Sequence, residues 1–401
     1  MSHQFYSIEC IIPPHIQNNI AEKGTPEQRK KVMGSISQSA AIRAQRVLLT
    51  ETKALVEPVT VGGKQRNIFN LNFGSNLPGI LARSEGAPPT GDPAVDEAYE
   101  GAGATYDLYQ QEYQRESIDG KGMRLDSTVH YMKGYDNAFW NGRQMVYGDG
   151  DEDLPEPQRI FNRFTIALDI IGHELTHGVT QFEAGLVYRD QSGALNESFS
   201  DVFGSLVKQR QRNQTAAEAD WIIGEGLLSP NINGIGIRSM KAPGTAYNDP
   251  LLGKDPQPAH MSDYKTIDYD NGGVHINSGI PNHAFYATAM EMGGYAWQKA
   301  GQIWYVTLRD RLTSTSVFAD AAQQTYLVAG NLFGGGSLEQ QAVRAGWQAV
   351  GIQIDAGDSG GNGGGTGGDT GSGGGTTSPG CSTALVQLLD NVKALIENRS
   401  R

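Results

Sequence analysis

Asp169-Ile170-Ile171-Gly172-His173-Glu174-Leu175-Thr176-His177 is the stretch on which the reading of this chain turns. On a helix, residues four apart share a face, so His173 and His177 can grip one metal ion while Glu174, one step round, faces an adjacent water. Twenty residues after His177 comes Glu197, in Asn196-Glu197-Ser198-Phe199-Ser200-Asp201, inside a second segment of helical pattern from Gly193 to Lys208. Two neutral imidazoles and one carboxylate hold Zn²⁺ with a position left open, and the metal lowers the pKa of water bound there to about 7. Glu174 is then placed to take that water's proton as it attacks a polarised carbonyl. Asp201, one turn beyond Glu197, is spaced to hold a zinc-bound imidazole by its other nitrogen. The HExxH run alone arises by chance in ordinary helices. Glu197 on a second helical segment turns it into the outline of a zinc hydrolase.

Working outward, Ile160, Phe164, Ala167, Leu168, Ile171 and Leu175 recur at helical spacing and mark the buried face of the helix that carries His173. Upstream, from about Leu48 to Asp149, short β-like runs (Ser127 to Met132, Gln144 to Tyr147) alternate with Gly, Asn and Asp turns, and one helical stretch spans Asp92 to Glu112. The fold class is therefore α+β in two domains. A β-rich half, residues 46–158, meets a mainly α-helical half, residues 159–355, at the helix bearing His173, and clefts favour such junctions.

The 401 residues leave room for a large core, and the net charge of −12 leaves no basic stripe to neutralise a nucleic acid's phosphates. Two cysteines, Cys10 and Cys381, provide no disulfide framework. Nothing reads as a transmembrane span, and the opening residues lack the pattern of a signal peptide. The first 50 residues carry six Lys/Arg (Lys23, Arg29, Lys30, Lys31, Arg43, Arg46) against three acids (Glu9, Glu22, Glu27), ahead of an acidic body. Such a leader, residues 1–45, is either a segment that docks on the body and is later removed or a solvated arm. At the other end, twelve of the nineteen residues from Gly357 to Gly375 are glycine, which reads as a flexible linker over 356–380. Leu385, Leu388, Val392 and Leu395 then give a short amphipathic helix within 381–401 that docks on this protein or on another chain.

Longer motifs extend the pattern: Tyr135-Asp136-Asn137-Ala138-Phe139-Trp140-Asn141-Gly142, Gly193-Ala194-Leu195-Asn196-Glu197, and Asp270-Asn271-Gly272-Gly273-Val274-His275-Ile276-Asn277-Ser278-Gly279. With these, residues 68 to 354 resemble the thermolysin-like neutral zinc metalloproteases, a system that also serves as a general example of zinc held by two His and one Glu. The leader, with Pro13-Pro14-His15-Ile16, resembles the short propeptide of the protealysin-type branch. The resemblance implies a secreted endopeptidase made as a precursor, acting on peptide or protein substrates, with its own propeptide assisting folding or blocking the cleft. It assigns His275 and Tyr188 to the oxyanion of the tetrahedral intermediate, Asp270 to orienting His275, Arg238 to a substrate carbonyl, and Asn137 and Ala138 to holding the peptide extended. Phe161, Phe164, Ile170, Ile223, Leu227 and Ile237 fall where the family lines its pocket for the side chain after the cut; an equally good reading makes several of them simple core residues, and both can hold. An apolar pocket there selects Leu, Phe, Ile or Val through about 1.5–3 kcal/mol of burial. A self-made cut is expected between Ser35 and Thr50, where Val47-Leu48-Leu49 suits that pocket.

The chain departs from the family at its calcium sites. Asp169, Asp220 and Glu225 match three acidic ligands of a paired calcium site, but Lys208 and Ile222 stand where the family has Glu, and Ile235 replaces the Asp of a further calcium loop. The cluster therefore holds at most one Ca²⁺, with the Lys208 ammonium standing in for a cation, unless Lys208 is merely a solvated lysine on a helix. Cys10 is either a buried thiol or a thiolate cap on the zinc in the precursor. His3, His15, His130, His260 and His283 read as surface or packing residues. Against the enzyme stand two readings: a zinc-loaded but idle binding protein, opposed by intact Glu174, His275 and Tyr188, and an assembly module working through its C-terminal helix.

Overall fold

The computed structural model describes residues 9–51 and 62–354, with the side chains of 43–51 left aside. The expected linker and C-terminal helix, Cys381 included, lie outside the described residues. The chain opens with β1 (Glu9–Cys10), α1 (Pro14–Lys23) and α2 (Pro26–Glu51). The sheet-bearing part follows as β2 (Arg66–Asn70), β3 (Ile80–Ser84), α3 (Pro93–Tyr113), β4 (Leu125–Val129), β5 (Ala138–Trp140) and β6 (Met145–Tyr147). Next come α4 (Leu168–Phe182), α5 (Asp190–Gln211), two small ribbons made of β7 (Ile222–Ile223) with β8 (Arg238–Ser239) and β9 (Asn248–Asp249) with β10 (Gly253–Lys254), and α6 (Asp270–Asn277). The helices α7 (Gly279–Met292), α8 (Lys299–Asp310), α9 (Phe318–Phe333) and α10 (Leu338–Ala349) complete it. Among the described residues no helix is long and apolar enough to cross a membrane.

Six strands form one sheet in the order β1-β5-β6-β4-β2-β3, parallel at β6-β4 and β4-β2 and antiparallel elsewhere. The leader thus supplies an edge strand, laid antiparallel on β5 with Glu9 opposite Trp140 and Cys10 opposite Phe139. The stretch expected to hold the self-made cut, Ser35 to Thr50, lies within the helix α2, as does the expected boundary at residue 45. An extended-chain protease meets that stretch only where the helix has unwound.

One apolar core runs through both halves, from Ile68 and Leu125 of the sheet to Leu206, Phe285 and Trp347 of the helices. α3 begins cleanly because Asp92 accepts from the amides of Ala94 and Val95 at 3.0 and 3.4 Å, with Pro93 at the first helical position. α4 and α5 cross at a pair of glycines. A Cβ on Gly172 would lie 3.0 Å from the Gly204 Cα, and one on Gly204 would lie 2.3 Å from the Asp169 carbonyl oxygen. Only hydrogen side chains allow this approach, which sets the two helices that carry His173, His177 and Glu197 backbone to backbone.

The sequence pattern ran Ile160, Phe164 and Ala167 into the helix of His173, but that helix starts at Leu168. Ile160 and Phe161 instead give their amides to one oxygen of Asp151, at 3.0 and 3.2 Å, and Phe161 bridges Leu228. Phe164 sits in a 3₁₀ turn, Phe164–Ile166. All are buried, so the periodicity reported burial rather than helix.

His130 also departs from its reading as a simple surface or packing residue. Its Nδ1 meets Asp149 at 2.7 Å and its Nε2 meets Asp92, the cap of α3, at 2.9 Å. The bond to Asp149, with help from Asp92 and against partial burial, raises its pKa to about 9. A group whose folded pKa lies above its unfolded value of about 6.5 contributes stability that is complete below pH 6.5 and fades as pH rises through 9. The melting temperature of the protein should therefore fall between pH 6.5 and 10. His130→Gln should flatten part of that fall, and identical slopes for the two proteins would count against the bracket.

Candidate active site

α4 presents His173 and His177 one turn apart, and their Nε2 atoms come within 2.9 Å of each other. Glu197, on α5, brings Oε2 to 3.6 Å from His173 Nε2 and Oε1 to 3.5 Å from His177 Nε2. All three side chains are buried. Their converging ligand atoms lie within 4.8 Å of one another, and Glu197 Oε2 has no hydrogen-bond partner. Two imidazole nitrogens and a carboxylate oxygen aimed at one point form the donor set of a zinc site with an open position, and the residues fit that ion. Burial, reinforced by the neighbouring His177, lowers the pKa of His173 to about 4, the neutral state that a metal ligand requires.

Each imidazole is held from behind. His173 Nδ1 bonds Asp201 at 2.8 Å, and His177 Nδ1 lies 2.9 Å from both Asn196 Oδ1 and Ser200 Oγ. Asp201 also accepts two bonds of 2.7 Å from Arg238 and one of 2.8 Å from Asn282. Burial works against the Asp201 anion, but Arg238 and His173 more than offset it and hold its pKa below the usual carboxylate range. Asn196, Ser200 and Asn282 were missed in the sequence. The first two lie four apart on α5, beside Glu197, and helical spacing would have found them; Asn282, on α7, carries no such signal.

α6 places the next group. Asp270, Asn271, Gly272 and Gly273 all have left-handed backbone angles, with φ between 50° and 85°, and this turn doubles the chain back so that Asp270 meets His275. Asp270 accepts from the His275 amide at 3.0 Å and pairs with its Nδ1 at 2.5 Å. Burial opposes the imidazolium, yet Asp270 and Glu197 outweigh it and raise the pKa of His275 to about 9, so both ring nitrogens carry protons at neutral pH. The Tyr188 hydroxyl lies 3.1 Å from His275 Nε2 and donates a short bond to Glu197. Glu174 is fully buried and accepts from the Trp140 amide at 3.0 Å, which brings β5 against the helix α4.

The leader passes through this centre. His275 Nε2 donates to the Cys10 carbonyl at 3.0 Å, the Ile11 amide donates to the Ala138 carbonyl at 3.3 Å, and the Ile12 amide donates to Asn137 Oδ1 at 3.1 Å. Arg238 Nη1 donates to the Ile11 carbonyl at 3.3 Å. The groups expected to hold a peptide substrate hold residues 10 to 12. Phe161, Phe164, Ile170, Ile223, Leu227 and Ile237 are all buried, as are Ile11 and Ile12. The thiolate cap on zinc is overturned: the Cys10 carbonyl faces His275, while its Sγ lies 3.9 Å from Ser39 Oγ among Tyr131, Tyr135 and Phe139. His15 packs against Tyr247, with Nε2 2.6 Å from the hydroxyl.

Fold and site together define a zinc-dependent metallopeptidase. The profile described as "Thermolysin metallopeptidase, catalytic domain" matches residues 73–181, and "Thermolysin metallopeptidase, alpha-helical domain" matches residues 184–352. The chain belongs to the thermolysin metallopeptidase family. It is 48% identical over 345 residues to an extracellular metalloprotease of Pectobacterium carotovorum subsp. carotovorum, covering 86% of this chain and 96% of the relative. It is 46% identical over 359 residues to Protease PrtS of Photorhabdus sp. (strain Az29), covering 88% and 95%. The solved precursor of protealysin, a metalloproteinase from Serratia proteamaculans, superposes with a TM-score of 0.77 at 50% identity, covering 86% of this chain and 99% of that one.

On the far side of α4 and α5, Lys208 is buried with its ammonium 2.8 Å from Asp169, 2.8 Å from Asp220 and 3.9 Å from Glu225. It also donates to the Ile222 carbonyl at 2.6 Å. The alternative of a solvated lysine therefore falls. Removing one partner of a buried ion pair leaves the other uncompensated, at a cost of about 3–5 kcal/mol. Lys208→Ala should lower the melting temperature of the precursor by several degrees or more, and a melt unchanged by the substitution would contradict the cluster's role.

Proposed function

We propose that this chain is the precursor of an extracellular endopeptidase, that its leader is the propeptide, and that the residues above divide the catalytic work as follows. Zinc held by His173, His177 and Glu197 would supply a water acidified to about pKa 7 and a positive charge beside the scissile carbonyl. Glu174, buried and bonded to the Trp140 amide, would be the base that accepts the attacking water's proton and returns it to the leaving nitrogen. His275, protonated on both nitrogens and fixed by Asp270, donates to the oxygen on which negative charge grows, and Tyr188 turns its hydroxyl to the same oxygen. Asp201 orients His173 and Arg238 together. Arg238, Asn137 and Ala138 fix the peptide against β5. The observation that carries this reading is the leader itself, an extended strand whose Cys10 carbonyl rests on His275 while Ile11 and Ile12 occupy the backbone contacts of the cleft.

The apolar side chains of Phe161, Phe164, Ile170, Ile223, Leu227 and Ile237 support cleavage on the amino side of bulky apolar residues. The extracellular site of action is supported by the names of the relatives. At Asp169, Asp220 and Glu225 the Lys208 ammonium takes the place of a calcium ion, a substitution supported by its three carboxylate neighbours.

Glu174→Gln should keep one zinc per chain, because Glu174 is not a ligand, and lose about 10²–10⁴-fold or more in turnover, as removal of a general base does. Mass spectrometry should find the leader intact in that variant and absent from the active wild-type enzyme. Normal peptidase activity in E174Q would remove Glu174 from the mechanism, and an active wild-type enzyme that retains Met1 or Ser2 would remove the leader's role.

A further inference from the structure

Lys31, on α2 of the leader, ends in a seat made by the body. Its ammonium lies 3.2 Å from Asp151 Oδ1 and donates a short bond to Asp153 Oδ1. Gly134, with φ of +66°, forms the floor: a Cβ there would stand 2.8 Å from Lys31 Cε and 3.2 Å from Cδ, so the lysine stem runs through a groove that any other residue would fill. A third carboxyl group, Asp136, feels the charges of Lys31, Asp151 and Asp153 without pairing with the lysine. It is only 4% exposed, its Oδ1 has no hydrogen-bond partner, and its amide donates to Ser35 of the leader at 3.1 Å. Burial, and after it the charge of Asp151, pushes the Asp136 carboxyl well above the usual range, with Lys31 pulling the other way.

The only body cation paired with this group among the described residues is Lys133, 3.8 Å from Asp153 and largely exposed, where it is worth little. When the leader leaves, Asp151 and Asp153 lose the Lys31 charge together. Beside them lies a cavity of about 430 Å³ walled by Lys30, Lys31 and Ser35 of the leader and by Gly134, Tyr135 and Asp153 of the body. A buried carboxylate stripped of its partner is costly unless another cation replaces it. The donors are carboxylate oxygens without imidazole or thiolate, the set that suits Ca²⁺ rather than zinc.

We propose that the seat of Lys31 is a cation site of the peptidase body, filled by the leader's ammonium in the precursor and by a calcium ion after the leader has gone. It rests on the reading that the leader is removed. Because Lys31 and calcium exclude each other, calcium binds the body without its leader and by linkage draws the equilibrium towards release. The occupant also bears on the substrate pocket, since Asp151 holds the amides of Ile160 and Phe161 through its other oxygen.

The test uses full-length precursor in an E174Q background, which keeps the leader in place. Lys31→Met empties the seat without removing the leader. With millimolar calcium chloride, the E174Q/K31M protein should gain several degrees in melting temperature and bind one ion by titration calorimetry, whereas E174Q alone should gain neither. Adding Asp153→Asn to E174Q/K31M should abolish the gain. No gain in E174Q/K31M, or a gain that survives Asp153→Asn, overturns the site. In the protein with Glu174 intact, loss of the leader followed by mass spectrometry should quicken several-fold with calcium, and an unchanged rate overturns the linkage. Failure of the wild-type precursor to lose its leader under any condition would instead refute the propeptide reading, leaving the calcium response of E174Q/K31M to be judged alone.

Discussion

The carboxylate of Asp201 is the joint on which the active centre hangs. It has no contact with solvent, and a bare charge so placed would be untenable, so it must be met on every side. Its partners come from three other elements: His173 from α4, Arg238 from β8 and Asn282 from α7. A single ion therefore fixes the tautomer and tilt of one metal ligand and the position of the guanidinium that reaches the Ile11 carbonyl of the leader. The arrangement exists only because Gly172 and Gly204 let α4 and α5 touch through their backbones. Bulk at either position would part the two imidazoles from Glu197.

Lysine recurs as a neutraliser elsewhere in the molecule, in two different capacities. Lys208 belongs to the same helix as Glu197 and stays with the body, tying α5 to Asp169 of α4 and to the loop before β7. Lys31 belongs to the leader and, on the reading that the leader is removed, departs with it. The first is a permanent internal counterion and the second a removable one. Covalent attachment of the cation therefore decides whether a carboxylate cluster is a fixed brace or a point of control.

Most of the candidate site's placement was legible in the sequence because its geometry is local to helices. His173, Glu174 and His177 are set by the turn of α4, and Asp201 follows Glu197 by one turn of α5. Asp270 and His275 were readable only through the longer family motif, since a left-handed turn of four residues sets their contact and no periodicity announces it. Lys208 was found by a departure, a lysine where carboxylates are expected. The start of α4 was misplaced because Ile160 and Phe164 are as buried as helical residues, and burial alone generates the pattern. The direction of the Cys10 side chain was beyond the sequence, because strand pairing with β5 decides which of its atoms faces His275. His130 was passed over because Asp92 and Asp149 lie far from it along the chain.

The pairing of β1 with β5 has a bearing on the fate of the molecule in a crowded solution. A sheet ending in β5 would offer the Ala138 carbonyl that the leader's Ile11 amide meets, and an open strand edge invites a second chain to stack upon it. In the precursor the leader caps that rim, so newly made molecules meet one another with their sticky border already sealed. Once uncapped, the border is only three residues long and is flanked by Asn137 and the Asn141-Gly142 turn, too short a template for fibrous stacking yet long enough to seize one extended chain. The length of β5 thus sets a compromise between gripping a peptide and adhering to a neighbour.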